Sequence, residues 1–280
     1  MRHILRFYGK TSLVNKLIFL KLGGSLITDK TRPYTPRLEK LADLADQIAA
    51  VLSENPSMQL ILGHGSGSFG HTAAHEYKTR DGVHDKNGWR SFSEVWFQAS
   101  SLNRLVMEAL HHAHIPSLAF SPSASVMARD GSIATWYLGT IEAALNSSLL
   151  PVVHGDAVFD SVRGGTILST EDLMSHLARR LHPKRILLAG LEAGIWADYP
   201  DRTHLIKEIT PGSLTSLQND IGAASGADVT GGMASKVEQM TRLVQAVPGL
   251  QINIFSGEEN DNLVLALRGE SPGTVIKPDY

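Results

Sequence analysis

Residues 60–76 read LILGHGSGSFGHTAAHE, in which an apolar run leads directly into GHGSGSFG, a segment with four glycines, two serines and a histidine. Gly65, Gly67 and Gly70 fit the G-x-G-x-x-G pattern of dinucleotide-binding loops. The same stretch, 65–72, also resembles a P-loop in which His71 replaces the lysine. Both patterns describe loops that bind phosphate groups, and the surrounding sequence decides between them.

The sequence after this loop excludes both specific patterns. A dinucleotide-binding fold continues with a helix, a second strand and an acidic residue, but residues 72–88 are polar, interrupted by glycine and without an apolar strand. His71 is shorter than the P-loop lysine and only partly charged at neutral pH. Glycines still let several backbone N–H groups converge on one anion, and a helix beginning near 69–72 would add its dipole. We therefore predict a loop that binds phosphate or carboxylate; the alternative is a glycine-rich turn that only packs tightly.

Composition limits the class of protein. The 280 residues carry a net charge of -2 and are 42% hydrophobic, which is typical of a globular protein and gives no basic surface for nucleic acid. The absence of cysteine excludes disulfides and cysteine-based metal sites, and a reducing, cytoplasmic location is expected. No apolar run approaches the roughly 18 residues of a membrane helix. Residues 1–16 begin with a basic and apolar stretch but have no cleavage site, and we interpret them as an N-terminal tail.

Apolar runs alternate with helical patterns along the chain. The candidate strands are Leu17–Leu22, Gln59–Leu62, Ser117–Phe120, Leu150–His154, Arg185–Ala189 and Gln251–Phe255. The candidate helices are Arg37–Ser53, Ser91–His112, Glu171–Leu181 and Met233–Val247, and a capping box of Ser91 and Glu94 is expected to begin the second of them. This alternation predicts an α/β fold with a mostly parallel sheet, whose ligands bind at the carboxyl ends of the strands.

Two further glycine-rich segments carry lysines. In KLGGS, 21–25, Lys21 lies inside an otherwise apolar strand, where burial without an anionic partner would be costly. In GADVTGGMASK, 226–236, Lys236 falls in the first turn of a helix, where a lysine opposes the helix dipole unless an anion binds. Lys30 could fold back over the same site, although Lys30 and Lys236 are equally compatible with solvated positions. Several glycine loops with lysines at one sheet edge suit phosphoryl transfer, which depends on positioning and positive charge.

Six motifs occur in a fixed order between Leu17 and Ile276. They are LKLGGSLITDK, GHGSGSFGH, PVVHGDAVFD, ILSTEDLMSHLARRL, GADVTGGMASK and GTVI. Together they resemble the amino acid kinase superfamily, and His71 resembles the histidine that marks its isopentenyl phosphate branch. The resemblance implies a single domain, 17–280, with a three-layer α/β/α sandwich. Its N-terminal lobe, about 17–160, would bind the phosphate acceptor, and its C-terminal lobe, about 161–280, would bind ATP.

The resemblance also implies an activity and a set of site residues. The chain would be a homodimeric kinase that transfers the γ-phosphoryl group of ATP to isopentenyl monophosphate, with Mg²⁺ held largely by nucleotide oxygens and no metal site of its own. Catalysis would use Lys21, Lys30 and His71. The acceptor would be bound by Gly65, Ser66, Gly67, Gly70, His71, Gly155 and Asp156. ATP would be bound by Lys21, Gly23, Gly24, Ser25, Asp228, Gly231, Gly232 and Lys236. The apolar tail would lie against the helix 91–112, with Val95, Trp96 and Ala99 as candidate wall residues.

Two segments depart from the family pattern. Residues 191–196 read LEAGIW, so that Leu191 and Ala193 replace two carboxylates. The family's S-G-D turn is Ser169–Thr170–Glu171 here, and Asp172 could take over the role of its acid. The alternatives are a kinase for another small acceptor, such as a phosphonate, carbamate, an acyl amino acid or a nucleoside monophosphate, or an inactive ATP-binding sensor. A dinucleotide-dependent oxidoreductase is a more distant alternative.

Overall fold

The secondary structure follows the predicted alternation of strands and helices. The computed structural model describes residues 17–70, 79–214, 232–259 and 261–279. The strands are β1 Leu17–Leu22, β2 Gln59–His64, β3 Ser117–Ala119, β4 Val126–Arg129, β5 Ser132–Trp136, β6 Leu150–His154, β7 Asp156–Asp160, β8 Gly164–Leu168, β9 Arg185–Gly190, β10 Ile195–Trp196, β11 Leu205–Ile206, β12 Glu208–Ile209, β13 Gln251–Ser256 and β14 Thr274–Ile276. The helices are α1 Gly24–Ile27, α2 Leu38–Glu54, α3 Lys86–His112, α4 Pro122–Ser125, α5 Gly139–Asn146, α6 Thr170–Leu181, α7 Gly232–Ala246 and α8 Asn262–Arg268.

A central eight-stranded sheet carries the site. Its order is β12-β14-β13-β9-β1-β2-β6-β3, and its neighbours are parallel except for the antiparallel pair β13 and β14. In the register of β1, Lys21 lies between Gly63 of β2 and Leu188 of β9. Because parallel strands end at the same edge, the predicted glycine loops after β1 and β2 and the turn after β6 meet there.

Apolar side chains fill both faces of this sheet. Phe19 of β1 belongs to a core that contains Leu173 of α6 and Val244 of α7. The next residue, Leu20, points to the opposite face and packs in a second core with Leu44 of α2 and Leu102 of α3. Helices therefore cover the sheet on both sides, which confirms the predicted three-layer α/β/α sandwich with a mostly parallel sheet.

A smaller sheet stands beside the central one. Its order is β5-β4-β7-β8, and β7 begins directly after the turn at Gly155. Helix α3 packs over this sheet through a separate apolar cluster. The members of that cluster are Val83, Phe92, Val95 and Ala157, with the partly buried Ile167 packed against them. The central sheet therefore leads at Gly155 into a second apolar region.

The start of α3 differs from the sequence expectation. The helix begins at Lys86 rather than Ser91, because the side chain of Asp85 accepts a hydrogen bond from the backbone N–H of Gly88 at 2.7 Å. The hydroxyl of Ser91 donates to Asn87 O inside the helix, so the expected capping box of Ser91 and Glu94 is wrong. None of the helices within the described ranges is long and apolar enough to cross a membrane.

Candidate functional site

The loops after β1 and β2 touch backbone to backbone. A Cβ atom on Gly24 would overlap the backbone of Gly67, and one on Gly65 would lie 2.7 Å from Gly24 N. Gly67 also has φ +48°, a left-handed conformation that favours glycine. The structure thus brings Gly24, Gly65 and Gly67 together, as the sequence predicts, and explains why each of the three lacks a side chain.

Thr28 fastens these two loops to each other. Its hydroxyl donates to Gly24 O at 2.7 Å and accepts from the backbone N–H of Ser68 at 2.9 Å. The side chain is almost fully buried. Residues 67–70 form a helical turn, in agreement with the expected helical start after the loop. Thr28 was not among the predicted site residues, because a threonine in a loop carries no local sign of a partner 40 residues away.

Lys21 forms an ion pair with Glu171 at the edge of the sheet. Lys21 Nζ lies 2.6 Å from Glu171 Oε1, and the two side chains are only 13% and 14% exposed. Burial raises the pKa of Glu171, but the charge and the hydrogen bond of Lys21, followed by the charge of Lys236, outweigh it, so that this pKa lies below its ordinary value. The structure thus supplies the anionic partner that the burial of Lys21 requires and brings Lys236 near the same carboxylate.

Asp172 does not take over the acid's role. Its carboxylate accepts hydrogen bonds from the backbone N–H and the hydroxyl of Ser169, at 3.0 and 2.7 Å, and so completes the capping box at the start of α6. A helix N-terminus leaves such N–H groups without intrahelical partners, and Asp172 is engaged there. The expectation for Asp172 is therefore wrong, and the longer side chain of Glu171 reaches Lys21 instead.

Several predicted site residues are not in contact with this pair. Lys30 is exposed, and no hydrogen bond or ion pair among the described residues joins it to Lys21 or Glu171. Ser25 lies in the one-turn helix α1, which begins at Gly24. Gly232 is the first residue of α7, which places Lys236 one turn into that helix. His71, Asp228 and Gly231 lie outside the described residues.

Asp156 is buried beside His154, whose ring stacks on that of a second buried histidine, His64. Its carboxylate accepts from the backbone N–H groups of Ser123 and Ala157, at 3.0 and 2.9 Å. Burial raises its pKa from 3.8 to about 6 despite these hydrogen bonds. His154 Nε2 is 3.9 Å from Asp156 Oδ2, and the His154 ring stacks on that of His64 with centroids 5.3 Å apart. Asp156 is among the predicted site residues, whereas neither histidine is.

The two buried histidines make the fold sensitive to acid. Burial lowers the pKa of His154 from 6.5 to about 3 and lowers that of His64 as well. The unfolded chain takes up these protons below about pH 6.5 while the folded chain does not, so stability is lost as the pH falls from 6.5 toward 3. Asp156 acts in the opposite sense: the folded chain keeps its proton up to about pH 6, so this group lowers stability as the pH rises from 4 to 6.

We expect His154→Phe to flatten the acid dependence. Between pH 7 and 4.5 the wild type should lose about 3 kcal/mol more unfolding free energy than the variant, since one proton contributes about 1.4 kcal/mol per pH unit. Urea unfolding at a series of pH values measures this difference. Asp156→Asn should act in the opposite direction and steepen the acid loss. Equal pH dependence in the wild type and His154→Phe would contradict the buried, neutral state of this ring.

The predicted wall residues on α3 do not all face inward. Val95 and Ala99 are each 2% exposed, whereas Trp96 is 41% exposed. Consecutive helical residues point about 100° apart, so Trp96 turns outward where Val95 turns inward. Trp96 therefore does not share the inward face of α3 with Val95 and Ala99, and its contact with the apolar tail stays a prediction. Val95 packs with Ala157, the neighbour of Asp156, in the apolar cluster beneath α3.

The segment after β9 is open and apolar. A Cβ atom on Gly190 would meet nothing within 4 Å, and Leu191 is 47% exposed. Glu192, the remaining carboxylate of residues 191–196, accepts from Trp196 Nε1 at 3.1 Å and from Arg202 Nη2 at 2.8 Å. This carboxylate is therefore already engaged. Within the described ranges, no group of three or more His, Asp or Glu side chains could hold a metal ion.

Comparison with known proteins agrees with this arrangement. Residues 16–256 match the model of the "Amino acid kinase family". The isopentenyl phosphate kinase of Methanocaldococcus jannaschii is 32% identical, over 93% of this chain and 98% of its own. That of Haloferax volcanii is 35% identical, again over 93% and 98%. A solved structure of an isopentenyl phosphate kinase superposes with a TM-score of 0.76 at 28% identity, over 93% of this chain and all of the other.

Proposed function

Because the chain belongs to the amino acid kinase family, we propose that it transfers the γ-phosphoryl group of ATP to isopentenyl monophosphate, with isopentenyl diphosphate and ADP as products. The relatives that match over nearly their whole length are isopentenyl phosphate kinases, which supports this acceptor. The observation that carries the proposal is the buried pair of Lys21 and Glu171 beside two glycine loops in backbone contact.

This arrangement suits in-line phosphoryl transfer. The attacking oxygen of a phosphate acceptor is already an anion, so no side chain needs to act as a general base. The transition state spreads negative charge over the transferring phosphoryl, and a fixed cation stabilises that charge most when water is excluded. Glu171 fixes Lys21 near the end of β1, at the sheet edge where the two glycine loops meet. We propose that Lys21, together with Lys30, stabilises the charge of the transferring phosphoryl.

The acceptor phosphate would bind to the loop after β2. Backbone N–H groups of Gly65, Ser66, Gly67 and Gly70 and the ring of His71 are the proposed donors, with Gly155 and Asp156 ordering the adjacent turn. The apolar cluster that contains Val95 and Ala157 begins one residue after Asp156, and we propose that the isopentenyl tail lies against α3 beside this cluster. On this view the acceptor belongs to an N-terminal lobe, about 17–160.

ATP would bind on the side of the later strands, in a C-terminal lobe of about 161–280. We propose Lys236 as a contact to its phosphates, since its charge already acts on Glu171. The remaining proposed contacts are Gly23, Gly24, Ser25, Asp228, Gly231 and Gly232. Because Glu192 is engaged and Leu191 and Ala193 carry no charge, these residues fit a nucleotide whose own phosphate oxygens hold Mg²⁺. The ion would neutralise charge on the transferring phosphoryl.

The assembly and the location are part of the same proposal. Trp96 and Phe97 are 41% and 56% exposed on the outer side of α3, and a homodimer would cover such side chains. The lack of cysteine suits a reducing cytoplasm. Light scattering on the purified protein measures the mass, which is 30.4 kDa for one chain.

A panel of acceptors tests the function. ADP release with ATP and Mg²⁺ is measured with isopentenyl monophosphate, fosfomycin, carbamate, N-acetylglutamate and UMP. We expect kcat/KM for isopentenyl monophosphate to exceed that for the other acceptors by at least about a hundredfold, a difference of about 3 kcal/mol in the activation free energy. Faster turnover of another acceptor would support a kinase activity but contradict isopentenyl monophosphate as its substrate. ATP binding without turnover of any acceptor would favour a sensor.

A further inference from the structure

The hydroxyl of Thr170 joins three elements of the site. Thr170 Oγ1 donates to His64 O at 2.6 Å and accepts from the backbone N–H of Gly155 at 3.0 Å. Thr170 is itself the first residue of α6 and is 2% exposed. One buried hydroxyl thus ties the end of β2, the turn between β6 and β7 and the start of α6 to one another.

Each of these three elements leads directly into a proposed site residue. Gly65 follows His64 and begins the acceptor loop, and Asp156 follows Gly155. Glu171 follows Thr170 and holds Lys21 at 2.6 Å. The relative position of the acceptor loop and the lysine therefore depends on how the first turn of α6 is seated.

The methyl group of Thr170 packs between α6 and the sheet, beside Met174. A Cβ atom on Gly63 would lie 2.5 Å from Met174 Cε and 2.8 Å from Thr170 Cγ2, so these two side chains of α6 together fill the space directly above Gly63. Gly63 is the residue paired with Lys21 in the register of β1 and β2. The threonine side chain therefore stands between the start of α6 and the strand residue next to Lys21. From that position the side chain of Glu171, one methylene longer than aspartate, reaches the lysine.

We infer that Thr170 is a positioning residue for phosphoryl transfer and that it acts as a unit with Glu171. Its hydroxyl fixes α6 to the two acceptor-side turns, so that Glu171 starts from a fixed position and reaches Lys21, while its methyl adds packing against Gly63 beside Met174. The family's S-G-D turn has glycine and aspartate at these two positions, whereas this chain has the bulkier threonine at 170 and the longer glutamate at 171. The inference rests on the proposed function, and it gives a role to Thr170, which neither the motifs nor the comparisons assign.

Kinetics of five variants test this inference. We expect Thr170→Val, which keeps the shape but loses the hydroxyl, to lower kcat roughly tenfold with KM for ATP changed less than about threefold. Thr170→Ser keeps the hydroxyl and should restore most of the lost kcat. Glu171→Asp should lower kcat because the shorter acid leaves Lys21. In Thr170→Gly/Glu171→Asp the combined loss should be several-fold smaller than the product of the losses of Thr170→Gly and Glu171→Asp.

Three results would overturn it. The first is a wild-type kcat in a folded Thr170→Val, and the second is a kcat in Thr170→Ser as low as in Thr170→Val. The third is a loss in Thr170→Gly/Glu171→Asp equal to the product of the losses in the two single variants. This third comparison decides the inference if Thr170→Val does not fold. Thermal melts establish that each variant is folded at the assay temperature. If the wild type phosphorylates no acceptor, the proposed function is rejected, and kinetics cannot test the role of Thr170. Crystal structures then decide the inference: the distance from Lys21 Nζ to Glu171 Oε1 should exceed 2.6 Å in Thr170→Val, and an unchanged distance would refute it.

Discussion

Lys21→Met should lower kcat at least a hundredfold while the protein still binds ATP. The variant keeps the length and apolar stem of the side chain but removes the charge at the end of β1, where the two glycine loops meet. Removal of one fixed donor from a preorganised site costs about two to three orders of magnitude in kcat. Steady-state ADP release gives kcat, and calorimetric titration gives the affinity for ATP.

The same variant should also lose stability. Glu171 is left as a largely buried carboxylate without its nearest cation, and breaking a buried pair from one side costs on the order of 3 kcal/mol. Because the charge of Lys236 also acts on Glu171, the loss in unfolding free energy should lie toward the lower end of the roughly 3–5 kcal/mol found for such pairs. Urea unfolding near pH 7 measures it. Lys21→Met/Glu171→Gln should recover most of the stability but none of the activity.

A matched control separates the site from a general effect of charge. Lys184 is exposed and lies just before β9, at the opposite end of the sheet. Lys184→Met removes one positive charge as well and should leave both kcat and stability near wild type. A kcat within tenfold of wild type in Lys21→Met would argue against a role of this lysine in phosphoryl transfer.

His71→Ala should lower kcat/KM for isopentenyl monophosphate by roughly ten- to a hundredfold. A hydrogen bond to a charged phosphate contributes about 1.5–3 kcal/mol, which corresponds to that range. The loss should fall on the acceptor and leave KM for ATP unchanged, because His71 directly follows the loop that begins at Gly65. Initial rates are measured with one substrate varied while the other is saturating. They separate an effect on the acceptor from an effect on KM for ATP.

Two variants complete this test. His71→Gln retains an N–H donor and should recover part of the loss. His75→Ala removes a second histidine four residues along and should behave as wild type. A change confined to KM for ATP, or equal losses in the two alanine variants, would contradict the assignment of His71 to the acceptor.

The fold was predictable because its signals are local. Six of the eight strands of the central sheet are short apolar runs that the sequence predicts, whereas β12 and β14 were not predicted. The bounds of β1 and β6 agree with the expectation, β2, β9 and β13 are one or two residues longer, and β3 is one residue shorter. The predicted end of an element is wrong where one sequence pattern fits both a helix start and a helix interior. The spacing of Ser91 and Glu94 is that of a capping box, but it recurs inside α3, and only the contact from Asp85 to Gly88 shows where the helix starts.

The site was predictable in part. Burial of Lys21 in a strand indicates that an anion must lie nearby, but its partner Glu171 is 150 residues away in the sequence. Thr28 and Thr170 act through single hydroxyls that bridge remote backbone groups. Such residues leave no local pattern, because a threonine in a loop or at a helix start has the same appearance whether or not a distant turn depends on it.

The continuity of the central sheet has a consequence for how substrates enter. Strand β1 is hydrogen-bonded along its length to β2 on one side and to β9 on the other. Kinases with two bodies joined by a hinge open by rotating those bodies apart, but a rotation here would break the main-chain ladder on one side of β1. Entry of substrates and release of products should therefore depend on movements of loops and helix ends at the carboxyl edge, with the sheet as a fixed base. Substitutions in those loops should then affect the release of products without moving Lys21.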